Sequence, residues 1–423
     1  MTDLSQKDAV LTKTKLNNIS PMARAQETNM STTPLSVLAK ANAPIVYGIV
    51  QPGSEVPKGI PFVQSRDVGG EVDIHALQRT SPEIAARYER SQIEPGDILF
   101  SLRGNIGQSS IAPSDLEGAN IARGVARIRI GDNFNSEFVR YVLKGPILQR
   151  LIARNANGST FRELSIEELR KLPIPNVSLP EQCRIAEILR TWDDALEKLT
   201  TLRAVKAQRL GSLRAALIFG SLRLNGQQHH WTPTRLAAVT HELTGRNGAN
   251  GLGRDYVMGV TKAQGVVPMR EQTIAGDISR YKRLPPRAFA YNPMRINVGS
   301  IAMNQRDEEV LVSPDYVVFA CNADGLDPGY LDHLRKTSWW AHYINSGGSG
   351  SVRQRTYYAD LAALKLPLPE LDEQRAIADV LDTARDDLEA TERGIDAVTR
   401  QKRGLMQKLL TGEWKVNSKK EIA

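Results

Sequence analysis

The sequence predicts an α+β protein in which two similar mixed α/β heads alternate with two long helices, as a pseudo-twofold internal repeat. The main observation is that the stretch opening at Leu172 recurs from Leu366 in a chain of 423 residues. From Glu181 to Gly220 the first copy aligns with the second without a gap at an offset of 192, and 12 of the 40 pairs are identical. Because this period is about half the chain, the pattern indicates a duplication and not a solenoid.

Each repeated stretch follows short apolar runs separated by Gly, Pro and Asp, which is typical of a strand-rich domain. The runs in the first head predict strands at Ile60–Val63, Ile98–Leu102 and Val125–Ile130, followed by a helix at Ser136–Leu143. The predicted boundaries are a flexible tail at 1–30, a first head at 31–175, a first long helix at 176–225, a second head at 226–367, a second long helix at 368–416 and a tail at 417–423.

The long helices carry start and stop signals. Ser178 and Glu181 form a capping-box pattern, with Pro180 in the first turn. Gly220 and Gly412 mark the two ends. A helix of about 40 residues would be about 60 Å long.

Apolar residues recur along both helices in steps of three and four, which predicts a coiled-coil seam. The seam residues are Leu189, Trp192, Leu196, Leu213 and Leu217 in the first helix, and Leu381, Leu388, Ile395, Leu405 and Leu409 in the second. The middle of the first seam is either polar, at Arg203 and Lys206, or shifted to Leu202 and Val205.

The order of charges along the helices predicts their orientation. Acidic residues crowd the first part of each helix and basic residues the later part. An antiparallel pair would set acid against base along its length, and it would hold the two heads at opposite ends. The alternative is that each helix only complements its own dipole.

The duplication also reaches into the heads. The segment Arg103-Gly-Asn105-Ile-Gly107 recurs as Arg295-Ile-Asn297-Val-Gly299, and Gly158-Ser159 lines up with Gly350-Ser351. Outside such anchors the heads differ strongly. We therefore expect the two heads to share a backbone fold but to differ in their surface residues.

Composition limits the function classes. The net charge of +8 is compatible with an anionic partner such as nucleic acid. The two cysteines, Cys183 and Cys321, are too few for a disulfide framework or a cysteine-based zinc site, which suits a reducing, cytoplasmic location. The sequence has neither an apolar run long enough to span a membrane nor the apolar core of a signal peptide.

Motifs for catalysis are missing. There is no Gly-Lys pair anywhere, which excludes a P-loop ATPase site. Asn292-Pro293-Met294 lacks the second Pro and the aromatic residue of the adenine methyltransferase motif. The histidines have no metal-ligand spacing, and no cofactor loop is present. We therefore expect no catalytic residue, no metal and no cofactor.

The order of the motifs resembles the specificity (S) subunit of type I restriction–modification systems. Each long helix opens with L-P-[IL]-P followed by E-Q and I-A-x-[IV]-L, and closes with L-[IL]-x-G. The segment from Phe289 to Gly299, and Gly350-Ser-Val-Arg353 ahead of the second helix, are similar to parts of that family's target recognition domains. The resemblance covers roughly residues 31–416.

This resemblance implies a non-catalytic DNA reader. Each head, as a target recognition domain, would bind one half of a bipartite, asymmetric site in double-stranded DNA, and the helical pair would set the spacing. The same helices would dock two methyltransferase (M) subunits, which methylate adenine N6. Motor–nuclease (R) subunits would join for restriction.

Arginine and lysine residues in loop-like positions are the candidate DNA contacts, because arginine is the commonest bidentate reader of guanine. The predicted DNA-binding residues are Arg66, Arg103, Asn105, Arg123, Arg127, Arg129, Arg162, Lys262, Arg295, Asn297, Arg353 and Arg355. Residues shared by the heads are either phosphate contacts or scaffold. The alternation of Arg123, Arg127 and Arg129 with apolar residues predicts a strand with a basic face, either DNA-binding or merely solvated.

Two other functions stay open at the level of sequence. The chain could be a two-headed coiled-coil adaptor that binds proteins and not DNA, or a fragment of a single-chain restriction–methylation enzyme. The second of these needs catalytic motifs that the sequence lacks. The heads carry net charges of only +2 (31–175) and +4 (226–365), so we expect weak DNA binding by this chain alone.

Overall fold

The computed structural model describes residues 30–156, 162–224, 231–249, 251–346 and 355–416. The chain divides into two compact units. Unit 1 joins Met1–Lys198 with Ile395–Ala423, and unit 2 is Leu199–Gly394. The predicted tails before Met30 and after Val416, and the pair Gly158-Ser159 with Gly350-Ser351, lie outside the described residues.

Unit 1 is a mixed head joined to parts of both long helices. Its strands are β1 Thr32–Pro34, β2 Val46–Tyr47, β3 Ile60–Val63, β4 Arg79–Thr80, β5 Ile98–Ser101, β6 Ser109–Ile111, β7 Asn120–Ile121, β8 Val125–Ile128 and β9 Pro173–Pro175. Its short helices are α1 Leu35–Leu38, α2 Pro82–Ala86, α3 Ser136–Lys144, α4 Pro146–Asn155 and α5 Ile166–Arg170. The sheets have the orders β2-β8-β5-β6, β4-β3-β7 and β1-β9, and β3 and β7 run parallel.

The first long helix, α6, spans Leu179–Ile218. Unit 2 then adds strands β10 Thr232–Arg235, β11 Thr240–Glu242, β12 Val257–Thr261, β13 Gly265–Pro268, β14 Lys282–Leu284, β15 Phe289–Tyr291, β16 Ile301–Met303, β17 Val310–Val312, β18 Val317–Cys321 and β19 Lys365–Leu368. Its short helices are α7 Leu236–Val239, α8 Pro328–Leu334, α9 Ser338–Ser346 and α10 Tyr358–Ala362. The second long helix, α11, spans Leu371–Leu410 and contributes to both units.

The same offset of 192 residues relates equivalent elements of the described structure. The bounds of α6 and α11 differ by this offset at both ends, as do those of α5 and α10. The sheet β11-β18-β15-β16 repeats the order β2-β8-β5-β6. The predicted α+β fold with a duplicated head and long helix is therefore confirmed.

One detail of the sequence alignment is wrong. It matched Leu172 with Leu366, but the residue equivalent to Leu172 is Leu364. The carbonyl oxygen of Leu172 accepts a hydrogen bond from Leu35 N, and that of Leu364 accepts one from Leu236 N. The repeated L-P-x-P letters are thus out of register by two residues, because these backbone hydrogen bonds fix the pairing of each strand.

A buried glutamine at the start of each long helix joins the helix to its own head. Gln182 Oε1 accepts from the backbone N of Asn135 at 2.9 Å, and Gln182 Nε2 donates to the Val177 carbonyl at 2.7 Å. Gln374 repeats this with the backbone N of Asp327 at 2.8 Å and the Pro369 carbonyl at 2.9 Å.

The partners of these glutamines are themselves helix caps. Asn135 and Asp327 accept from the third residue of α3 and of α8 respectively. A buried amide satisfies its polar groups only when these elements keep their relative positions. The glutamine, which is identical in the two copies, is therefore a joint of the fold.

The long helices pair antiparallel within each unit. In unit 1, Lys402 Nζ of α11 donates to Asp193 of α6. In unit 2, Arg203 lies 2.8 Å from Glu392 and Lys206 lies 2.7 Å from Asp387. Rising numbers on α6 meet falling numbers on α11, as the charge order predicts.

The predicted seam packs into the cores of the two units. Leu189 and Leu409 are buried in the core of unit 1, and Leu217 and Leu381 in that of unit 2. The remaining seam residues are half-buried: Trp192, Leu196, Leu213, Leu388, Ile395 and Leu405. Leu202 and Val205 are exposed, so the middle of the first seam is polar and is made by Arg203 and Lys206.

The contact between head helix and long helix differs between the units at equivalent positions. Tyr141 of α3 donates its hydroxyl to Asp193 at 2.6 Å. The residue 192 positions later is His333 of α8, whose Nε2 lies 2.9 Å from Asp382 Oδ1. Its side chain is fully buried, and desolvation lowers its pKa to about 4, against the raising effect of Asp382.

We expect Gln374→Ala to lower the free energy of unfolding by about 1–3 kcal/mol, because it leaves buried backbone groups without a partner. Gln401→Ala is the matched control, since Gln401 is exposed on the same helix. Urea unfolding followed by circular dichroism measures both variants. Equal stability of the two variants would contradict the role of Gln374 as a joint.

We expect stability to fall as pH decreases from about 6.5 towards 4. The unfolded histidine has a pKa of about 6.5, whereas burial holds the pKa of His333 at about 4. The unfolded state therefore binds more protons in this window, and the free energy of unfolding falls by on the order of 3 kcal/mol.

His333→Gln should flatten this pH dependence, whereas His342→Gln, at an exposed position, should leave it unchanged. Urea unfolding at a series of pH values distinguishes them. The interpretation fails if the two variants give the same pH profile.

Candidate nucleic-acid interface

Three loops of the first head meet at one end of its main sheet. Ser65 Oγ donates to the Gly124 carbonyl at 2.9 Å, and Leu102 N donates to the same oxygen at 2.8 Å. Arg66, Arg103 and Arg123 lie in or beside these loops, so the fold brings them together from distant parts of the sequence. Arg66 and Arg123 are exposed.

A fourth segment of the first head, at Glu163, lies against these loops. Arg103 pairs in an isolated β-bridge with Glu163, and Arg103 Nη2 donates to Glu163 Oε2 at 2.5 Å. Both side chains are 38% exposed, and the hydrogen bond raises the pKa of Arg103. The neighbouring Arg162 is exposed and donates to the Ala153 carbonyl at 2.9 Å. We name Arg66, Arg103, Arg123 and Arg162 the first-head cluster.

Asn105 supports the loop. Its Nδ2 donates to the Val68 carbonyl at 2.7 Å, and its Oδ1 accepts from Ser101 Oγ at 2.5 Å. The following Gly107 has a φ of 87°, in the left-handed region that favours glycine. Of the two alternatives for this shared residue, the scaffold role is the one that its contacts support.

Arg127 and Arg129 do not belong to the first-head cluster, which corrects the prediction of a basic face on their strand. Arg127 is 2% exposed and donates to the Pro44 carbonyl at 3.3 Å, and burial lowers its pKa. Arg129 donates two hydrogen bonds of 2.9 Å to Asp97, which is itself buried, and a third to Glu94. These charges are used inside the head, so they are not available to DNA.

The equivalent loops of the second head also meet. Thr356 N donates to the Pro293 carbonyl at 3.1 Å, which places Arg355 beside the loop of Arg295. The Lys262 side chain packs on Gly299, where an added Cβ would lie 3.0 Å from Lys262 Cγ.

Arg295, Asn297, Lys262 and Arg355 are all exposed, and we name them the second-head cluster. The equivalents Asn297 and Asn105 differ, because Asn105 is fixed by hydrogen bonds. Arg353 lies outside the described residues.

A groove of about 770 Å³ borders the second-head cluster. It runs from Lys262 and Asn297 past helix α9 to Arg385 of α11. Its other charged lining residues are Arg306, Arg335, Lys336 and Glu389. Arg335 and Lys336 share the carboxylate of the buried Asp332. Arg385 pairs with Asp382 and Asp386, and Arg306 lies 3.6 Å from Glu308, so each of these four groove cations has a carboxylate partner.

Sequence reasoning did not identify Glu163, Arg335 or Lys336. The signal for Glu163 was present, because the offset of 192 sets it opposite Arg355, a residue of opposite charge. The signal for Arg335 and Lys336 was not, since they lie in the short turn between α8 and α9, which the sequence does not connect with the loops of the second-head cluster. Among the described residues no helix is long and apolar enough to span a membrane. No group of three or more metal-binding side chains occurs in the same ranges.

Comparisons with known proteins give the family context. Residues 54–207 match the family model described as the type I restriction modification DNA specificity domain. The chain is 31% identical over 197 residues to the type I restriction enzyme EcoBI specificity subunit of Escherichia coli, which covers 45% of this chain and 41% of that protein. It is 30% identical over 141 residues to the MjaIX specificity subunit of Methanocaldococcus jannaschii, covering 33% of this chain and 32% of that protein.

The matches therefore span less than half the length of these curated relatives. The crystal structure of the type I restriction-modification system S subunit from M. genitalium shares the fold, with a TM-score of 0.57 at 15% identity, over 90% of this chain and 96% of that chain. The matched residues 54–207 contain the whole first-head cluster. The resemblance to specificity subunits of type I restriction–modification systems is thus confirmed, in sequence over these residues and in fold over most of the chain.

Proposed function

We propose that this chain is the non-catalytic DNA-recognition subunit of a type I restriction–modification complex. The observation that carries the proposal is that each unit gathers loop cations from separate segments onto one face. The specificity-domain match covers the first of these faces. Cations grouped on loops are the usual contacts to DNA phosphates and base edges.

Each head binds one half of a bipartite, asymmetric DNA site. The two clusters differ in composition, with Arg66 and Arg123 in the first head and Lys262 and Arg355 in the second. Arg103 and Arg295 are shared by the two heads. They therefore serve to position the head on DNA or to contact phosphate, more than to read bases. Different side chains on a common frame favour different half-sites.

The paired long helices set the spacing between the half-sites and dock two M subunits, which methylate adenine N6. R subunits join for restriction. The seam side of each helix is taken up by its partner helix, and the outer faces of α6 and α11 are charged and exposed. Those faces are the surfaces left for partner subunits. The complex acts on DNA in the cytoplasm.

Deleting the gene for this chain should abolish adenine methylation at one gapped motif, measured by genome-wide methylation sequencing in cells that express the partner subunits. Exchanging residues 31–175 for the head of another specificity subunit should change only one half of that motif. An unchanged methylome after deletion would favour the protein-binding adaptor. A change in both halves after the exchange would show that the head boundaries are wrong.

We expect Leu388→Asp to lower the level of methylation without changing the motif, because Leu388 is half-buried on α11 and packs against the core of unit 2. Ala390→Asp is the matched control at an exposed position of α11. Methylation sequencing gives both level and motif. A changed motif in Leu388→Asp would contradict the division between recognising heads and spacing helices.

A further inference from the structure

One pair of equivalent positions has opposite charge in the two heads. The offset of 192 relates Arg103 to Arg295 and Glu163 to Arg355. It also relates the residues that follow, because Ser165 and Tyr357 are the N-caps of the equivalent helices α5 and α10. The equivalence of Glu163 and Arg355 is thus structural as well as sequential.

In the first head this pair is neutral. The guanidinium of Arg103 is hydrogen-bonded to Glu163 at 2.5 Å. A phosphate that approached Arg103 would meet the Glu163 carboxylate beside it, and the like charges repel. Exposed ion pairs of this kind contribute little to stability, so the pair has more effect on the surface charge than on the fold.

In the second head the same two positions are both cationic. Arg295 and Arg355 are exposed, and their loops are tied together by the Thr356–Pro293 hydrogen bond. The pKa of Arg355 is raised chiefly by its hydrogen bond with Tyr357, with Asp315 as a weaker charged neighbour. Lys262 and Asn297 extend the surface into the groove beside α9.

We propose that the two heads engage the DNA backbone unequally, and that the residue at position 163 or 355 determines the difference. In the second head, Arg295 and Arg355 bind phosphate. In the first head, the hydrogen-bonded ion pair with Glu163 keeps Arg103 from contacting a phosphate. This inference rests on the proposed function and names the residues by which each head contacts the backbone.

The test is the salt dependence of binding of the full-length chain to a labelled random-sequence DNA duplex, measured by fluorescence anisotropy from about 50 to 200 mM salt. Each phosphate contact contributes about 0.9 to the slope of log K against log salt. Arg295→Gln and Arg355→Gln should each flatten the slope by about that amount, which corresponds to a ~3.5-fold change in the ratio of affinities at the two salt limits. Glu163→Gln should steepen it by a similar amount, because it releases Arg103.

Two controls sharpen the comparison. The double variant Arg103→Gln/Glu163→Gln leaves the net charge unchanged and should keep the original slope. Arg209→Gln removes an exposed charge from α6, outside both clusters, and should also keep it. Thermal unfolding of each variant checks that the fold is retained.

The outcomes separate this inference from the proposed function. A flatter slope in the double variant would show that Arg103 already contacts phosphate, and an unchanged slope in Glu163→Gln would show that Glu163 prevents no contact. Either result would overturn the asymmetry while DNA binding stands. Unchanged slopes in both Arg295→Gln and Arg355→Gln would overturn the assignment in the second head. Failure of the unsubstituted chain to bind the duplex at the lowest salt would count against both proposals.

Discussion

The glutamine at the start of each long helix is the contact on which the geometry of each unit depends. A buried amide that loses its partners raises the energy of the folded state by about 1–3 kcal/mol. Gln182 and Gln374 meet that requirement by binding the capping residue of a head helix and a carbonyl just before the long helix. The loops of each head are consequently held in a fixed position relative to their own long helix.

Much of the fold was predictable because the constraints that produce it are local and occur twice. The apolar steps along α6 and α11 and the order of their charges indicate an antiparallel pair, and ion pairs such as Arg203–Glu392 confirm it. The register of the strand before each long helix was not predictable. It is set by backbone bonds from Leu35 and Leu236, and the similar letters at Leu172 and Leu366 gave a false match.

The candidate site was predictable only in part, for a different physical reason. Alternation along a strand shows that two faces differ, but it does not show what covers either face. Arg129 is neutralised by Asp97, a residue 32 positions earlier in the chain, and Arg127 is covered by the loop at Pro44. Arg103 meets Glu163 across 60 positions. Such contacts depend on tertiary structure, which a single strand pattern does not contain.

Duplication explains how surface charge can change while the frame stays constant. The positions 141 and 333 hold Tyr and His, yet each reaches an aspartate of a long helix. Positions 163 and 355 hold Glu and Arg, whose side chains are 38% exposed and exposed respectively. A substitution at position 163 therefore alters the charge that the first head presents without disturbing Gln182 or the core. For that reason the charge of a head and its attachment to the long helix can vary independently.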